Sequence, residues 1–131
     1  MQRLMVAALT SGAGKTSVTM GLAALWRQAG KTVQVYKTGP DYIDPQFHAA
    51  ITGRPCINLD PYFLDSSELR ETFSRYRSEA DILLIEAAMG LTDGIAGQGD
   101  RASALEVART LDVPVLLLVA RGQEGDATRK I

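Results

Sequence analysis

The sequence predicts an α/β fold, a mostly parallel, doubly wound sheet with helices on both faces, and three observations carry that expectation. Short apolar runs recur at residues 3–9, 32–37, 81–86 and 114–120. Stretches with apolar residues at helical spacing lie between several of them, so strand and helix alternate along the chain. The runs at 3–9, 81–86 and 114–120 are continuous, as in strands covered on both sides.

Residues 3–9 form the first strand, which ends in a turn of small residues. Val18, Leu22, Leu25 and Trp26 recur at helical spacing within residues 14–29, and Gly30 stands at the expected C-cap. The alternating, β-branched TVQVYK at 32–37 is the second strand, after a crossover of the length of a βαβ unit. Residues 39–64 carry Pro40, Pro45, Pro55 and Pro61, which limits regular structure to a short helix at 46–51. A long loop in a compact domain is usually functional. Ser66 or Ser67 caps a polar helix running to about residue 77, and DILLIE at 81–86 is a third, buried strand. A glycine-rich loop spans 90–99, a helix 102–111, and the longest apolar run, 113–120, reads as a fourth buried strand. Four strands and a polar stretch at 121–131 suggest a truncated domain, because such sheets commonly carry more.

The length of 131 residues fits one domain, 1–131, with a single core. Hydrophobic residues at 46% and charged residues at 22% are the balance of an ordinary globular protein. A net charge of -1, with no basic block, argues against nucleic acid or an anionic membrane as partner. Cys56 is the single cysteine, so no internal disulfide forms, and the motif that follows the first strand leaves no room for a signal peptide. The expected address is cytoplasmic. No apolar run approaches the roughly 20 residues a spanning helix needs.

Ser11-Gly12-Ala13-Gly14-Lys15-Thr16 lies where a strand gives way to a helix, the context of a phosphate-binding loop. Backbone N–H groups of such a turn join the positive helix end to hold phosphate oxygens. Lys15 would reach the outer phosphates and the Thr16 hydroxyl would ligate magnesium, so ATP with Mg2+ is the expected cofactor pair, with Ser17 at the edge of the site. Leu9 stands where the full motif has glycine, so the match is partial, and a glycine-rich turn with an exposed lysine is the plain alternative. The loop also lacks the early lysine of partitioning ATPases that sandwich nucleotide between subunits.

Lys37, Asp41 and Asp44 follow the second strand and fall on the same sheet edge as the phosphate loop, although PDYIDP also reads as a turn with solvated acids. Glu86 ends the third strand, where P-loop enzymes place a magnesium-holding acid; a solvent-facing acid is the alternative. Asp93 lies between Gly90 and Gly94 in a loop whose composition is also a turn signal. His48 and Cys56 make too few soft ligands for zinc, and His48 is read as local packing or loop hydrogen bonding. Trp26 is read as core.

Ser11 to Leu22, the stretch Lys37-Thr38-Gly39-Pro40-Asp41-Tyr42-Ile43-Asp44-Pro45 with Phe47-His48, Thr52 to Pro55, Asn58 to Asp60, and Glu86 with Met89 to Gly94 together resemble the amino-terminal domain of cobyrinate a,c-diamide synthases. These are P-loop amidoligases of the dethiobiotin synthetase-like superfamily. The resemblance implies a three-layer P-loop NTPase fold and ATP-dependent amidation of two acetates of a corrin-type macrocycle through an acyl phosphate. It assigns Thr16, Asp41 and Glu86 to magnesium, Lys15 and Lys37 to the transferring phosphoryl group, and Asp93 to substrate activation or positioning. Asp44, Asn58 and Asp60 are weaker substrate-side candidates. It also implies a glutaminase domain beyond this chain as the source of ammonia, and it leaves the oligomeric state open, a homodimer included. Ala87-Ala88 follow the strand-end glutamate where the family usually has glycine, and Ala120 stands where it often has aspartate. A dethiobiotin synthetase-like or cobyric acid synthase-like ligase, and a nucleotide-binding module without catalysis, are the competing readings.

Overall fold

The computed structural model describes residues 2–9, 14–39, 44–94 and 102–119, with the side chains of Asp44 and Pro45 left aside. Within them the chain runs β1 (Gln2–Ala8), α1 (Lys15–Gln28), β2 (Val33–Thr38), α2 (Asp44–Thr52), β3 (Ile57–Leu59), α3 (Ser66–Tyr76), β4 (Ile82–Glu86), α4 (Ala104–Leu111) and β5 (Val115–Leu118). The strands form one sheet in the order β3-β2-β4-β1-β5, and every pairing is parallel.

Alternation along the strands divides the core into two layers. Val6, Val33, Val35, Ile82 and Leu84 face Val18, Leu22, Ala23 and Trp26 of α1 and Ile51 of α2. Met5, Ala7, Tyr36, Leu83 and Ile85 face Leu69 and Phe73 of α3 and Val107 and Leu111 of α4. The single core expected from length is thus two clusters separated by the sheet, the three-layer α/β arrangement the sequence predicts. Trp26 is core, as expected. Leu25, counted in the helical pattern, is 64% exposed and points away from it.

Several boundaries differ from expectation for local reasons. A fifth strand, β3, lies in the proline-rich stretch; it has three residues, too few to show a period. α3 is capped by Asp65 rather than by Ser66 or Ser67. The Asp65 carboxylate accepts the Glu68 N–H at 2.8 Å while Glu68 accepts the Asp65 N–H at 3.1 Å, a reciprocal capping box. α1 closes on Ala29, and Gly30 follows with φ 83°, the left-handed position after a helix that glycine takes without strain. The run at 113–120 is not a fully buried strand. β5 pairs only with β1 among the described residues, and Leu116 and Leu117, which point to opposite faces, are 40% and 41% exposed. No helix among the described residues is long and apolar enough to cross a membrane.

Candidate functional site

Register places the first two functional side chains. Lys37 of β2 lies opposite Glu86 of β4 in the parallel ladder. Each continues, by the two-residue period, the row that packs against α1 and α2, with Val33 and Val35 before Lys37 and Ile82 and Leu84 before Glu86. The apolar row ends and a charged pair begins at the carboxyl edge of the sheet. Lys37 is 2% exposed and Glu86 is fully buried.

The helix layer adds the other partners. Thr16, in the first turn of α1, donates its hydroxyl to Glu86 Oε2 at 3.1 Å, and Lys37 Nζ donates to the same oxygen. His48 of α2 lies with Nε2 2.9 Å from Glu86 Oε1, so each carboxylate oxygen is engaged. Burial pushes the Glu86 carboxyl upward, but the hydrogen bonds from His48 and Lys37 and the Lys37 charge overcome it and hold the group at about 2. Glu86 is therefore an anion, and the edge carries a preformed acidic oxygen beside a threonine hydroxyl.

Gly14 has φ 85°, a conformation an L side chain rarely adopts, and the helix it opens has no side-chain cap and no acid in its first turn. Lys15 follows, largely buried, and its carbonyl accepts the Thr19 hydroxyl at 2.7 Å. Thr16 is half-buried and Ser17 exposed. Ser11, Gly12 and Ala13, expected in the phosphate loop, and Asp41, expected on magnesium, lie outside the described residues, as does the Asp44 side chain.

The loop after β4 closes over the end of β1. Ala87 N–H bonds to Val6 O at 2.9 Å and Leu91 N–H to Ala8 O at 2.6 Å. Gly90 is needed here for space, since a Cβ would fall 2.4 Å from Leu9 O and 2.8 Å from Asp93 Oδ2. The exposed Asp93 accepts the Gly90 N–H at 2.8 Å, shaping the loop in which it sits. Ala87 and Ala88 avoid the left-handed region; Met89, with φ 54°, takes it instead. Thr38 accepts the Ala88 N–H at 2.9 Å and ties this loop to β2.

Asn58 and Asp60 sit farther along the edge. Asn58 donates its side-chain amide to Gly39 O, and the buried Asp60 accepts the Tyr62 N–H at 2.9 Å. The structure thus brings Thr16, Lys37 and Glu86 together, with Lys15 on the same helix turn, and gives Asp93, Asn58 and Asp60 backbone partners of their own. Sequence reasoning left out His48 as a partner of Glu86. Its sequence signal is a histidine three and four residues before Ile51 and Thr52, which also turn inward.

Strand, glycine turn and helix in that order, with a carboxylate ending the neighbouring strand, define a P-loop nucleotide-binding α/β domain, and the chain is of that class. It belongs to the family described as the CobQ/CobB/MinD/ParA nucleotide binding domain, whose model matches residues 4–122. Among curated relatives, the cobyrinate a,c-diamide synthase of Gloeobacter violaceus is 46% identical over 116 residues, 88% of this chain and 26% of the relative. The hydrogenobyrinate a,c-diamide synthase of Agrobacterium fabrum is 47% identical over 117 residues, 88% of this chain and 27% of the relative. The cobyrinate a,c-diamide synthase of Listeria innocua is 44% identical over 120 residues, 91% of this chain and 26% of the relative. The chain spans about a quarter of the length of these relatives.

Proposed function

We propose that this chain is the nucleotide-binding part of a cobyrinate-type a,c-diamide synthase, a cytoplasmic ATP- and Mg2+-dependent carbon–nitrogen ligase. The observation that carries the reading is the Thr16–Glu86–Lys37 cluster at the sheet edge beside Gly14 and Lys15. A corrin-type macrocycle is the proposed substrate, amidated at its a and c acetates. Its identity rests on the names of the similar synthases.

Magnesium fits the residues present. Hard cations take oxygen ligands, and Glu86 is an ionised carboxylate 3.1 Å from the Thr16 hydroxyl. Thr16 and Glu86, with Asp41 by resemblance, would hold the ion, which when bound offsets charge on the outer phosphates. The chain's own part is positioning. Ser11 to Thr16 would bind the triphosphate through backbone N–H groups, and Ser17 would border it. Lys15 would hold the outer phosphate oxygens, and Lys37 would add positive charge where the phosphoryl group transfers.

In that chemistry an acetate oxygen of the substrate attacks the γ-phosphorus, the bond to the bridging oxygen breaks and ADP leaves. Ammonia then attacks the acyl phosphate, phosphate leaves, and loss of a proton from nitrogen gives the amide. Asp93 would orient the attacking carboxylate or the substrate around it, with Asp44, Asn58 and Asp60 farther out. Ammonia from glutamine would come from a glutaminase domain outside this chain.

The test is phosphate release from ATP and magnesium with ammonium as nitrogen donor, with and without cobyrinic acid. Release that requires the macrocycle supports the ligase; nucleotide binding without turnover in every condition favours a binding module. Lys15→Ala should lower ATP affinity by at least about tenfold, because the outer phosphates lose a charged hydrogen-bond donor. Unchanged affinity would remove Lys15 from the loop's function.

A further inference from the structure

His48 supplies an imidazole that the proposed chemistry leaves without a task. It is the chain's only histidine, and it is wholly buried. Nε2 meets Glu86 Oε1 at 2.9 Å, whereas Nδ1 is buried with no hydrogen-bond partner among the described residues. An ionised carboxylate only accepts hydrogen bonds, so Nε2 carries the proton that joins them. Among the described residues Nδ1 has no acceptor to meet, so Nε2 is the ring nitrogen that donates.

The backbone that carries the ring is tied down. The Thr52 hydroxyl donates to His48 O at 3.0 Å and accepts the Arg54 N–H at 3.1 Å, closing the end of α2 just before the left-handed Gly53. Held there, His48 takes up Oε1 of Glu86, while Oε2 is the oxygen that Thr16 and Lys37 share. The last torsion of a glutamate is soft, so a carboxylate with one oxygen unpinned can swivel.

We propose that His48 is a positioning residue for cation binding at this edge. Its Nε2–H pins Oε1, so Glu86 presents one oxygen, Oε2, beside the Thr16 hydroxyl. The proposal rests on the reading that Glu86 and Thr16 take the magnesium that accompanies nucleotide. Partners of this kind, one bond removed from the ligand atom, typically govern metal affinity or activity by about 10- to 100-fold.

The experiment measures ATP binding to the chain by calorimetry as magnesium is titrated, for wild type, His48→Met and His48→Gln, with circular dichroism as the check on folding. His48→Met fills the space without a donor and should raise the magnesium needed for half-maximal binding by about tenfold or more. His48→Gln keeps an N–H that can reach Oε1 and should restore most of that loss. Wild-type magnesium dependence in a folded His48→Met overturns the proposal, as does a folded His48→Gln no better than His48→Met.

The wild-type chain supplies a second readout that survives failure of the variants to fold. With one histidine, its 15N ring spectrum should show a protonated Nε2, and Glu86→Gln should shift the Nε2 signal. An Nε2 without a proton overturns the pinning. ATP binding that ignores magnesium in the wild type would defeat the reading of Glu86 and Thr16 as cation ligands, an outcome visible before any His48 variant is compared.

Discussion

Replacing Lys37 by methionine should destabilise the ligand-free chain by several kcal/mol, and a second replacement, Glu86→Gln, should return part of that loss. The carboxyl of Glu86 lies at about 2 against an ordinary 4.5. At about 1.4 kcal/mol per pH unit, that difference favours the charged form by roughly 3 kcal/mol. Burial alone would have moved the group the other way, so its partners contribute more than this net figure. Removing one member of a buried ion pair typically costs about 3–5 kcal/mol, because the other is left charged without compensation. Lys37→Met leaves a buried carboxylate with His48 and Thr16, and Glu86→Gln leaves a buried ammonium facing an amide. In the double variant no buried charge remains between the pair, and the glutamine carbonyl oxygen still accepts from one of the two donors, Thr16 or His48, that Glu86 engages with separate oxygens. The cycle should therefore show a coupling of at least about 2 kcal/mol, with the double variant less destabilised than the sum of the singles. Urea unfolding followed by circular dichroism, and by the fluorescence of the single tryptophan, Trp26, reads each corner. Singles that add to within about 0.5 kcal/mol would show that the pair does not interact in the folded chain.

Acid should weaken the fold in a window set by the same carboxylate. The folded-state value of Glu86 is depressed, so its contribution is present above about 4.5 and is lost as pH falls toward about 2. Glu86→Gln should lack this component, and urea midpoints measured across that window that fall equally in both proteins would refute it. Gly90→Ala should cost about 1–3 kcal/mol, since its Cβ would meet the Leu9 carbonyl at 2.4 Å and the loop has to shift; an unchanged melting temperature would contradict that packing.

The architecture was legible wherever burial imposed a continuous apolar run or a helical period. β1, β2, β4 and the helices appear within two residues of their expected limits because those runs are the rows that fill the two clusters. What escaped has a physical reason in each case. β3 is too short to have a period, and Asp65 competed for the cap with two serines one and two positions later. β5 is apolar like a central strand although it lies at the sheet's edge among the described residues, and composition does not record which strands have neighbours. At the site, strand-end positions announced Lys37 and Glu86, and the Gly-Lys-Thr turn announced Lys15 and Thr16. The role of His48 depends on which face of α2 meets β4, a tertiary fact that one histidine in a loop-rich stretch does not disclose.

The Lys37–Glu86 pairing in the ladder has a consequence for how such a chain can change. A slip of one step between β2 and β4 would send Lys37 into the greasy layer beneath α3 and leave Glu86 facing a neutral neighbour. Chemistry and architecture therefore share one alignment: a sequence that misthreads the middle of the sheet loses its charge pattern at the rim as well. Val35 and Leu84, two residues before Lys37 and Glu86, are in that sense custodians of the charged edge.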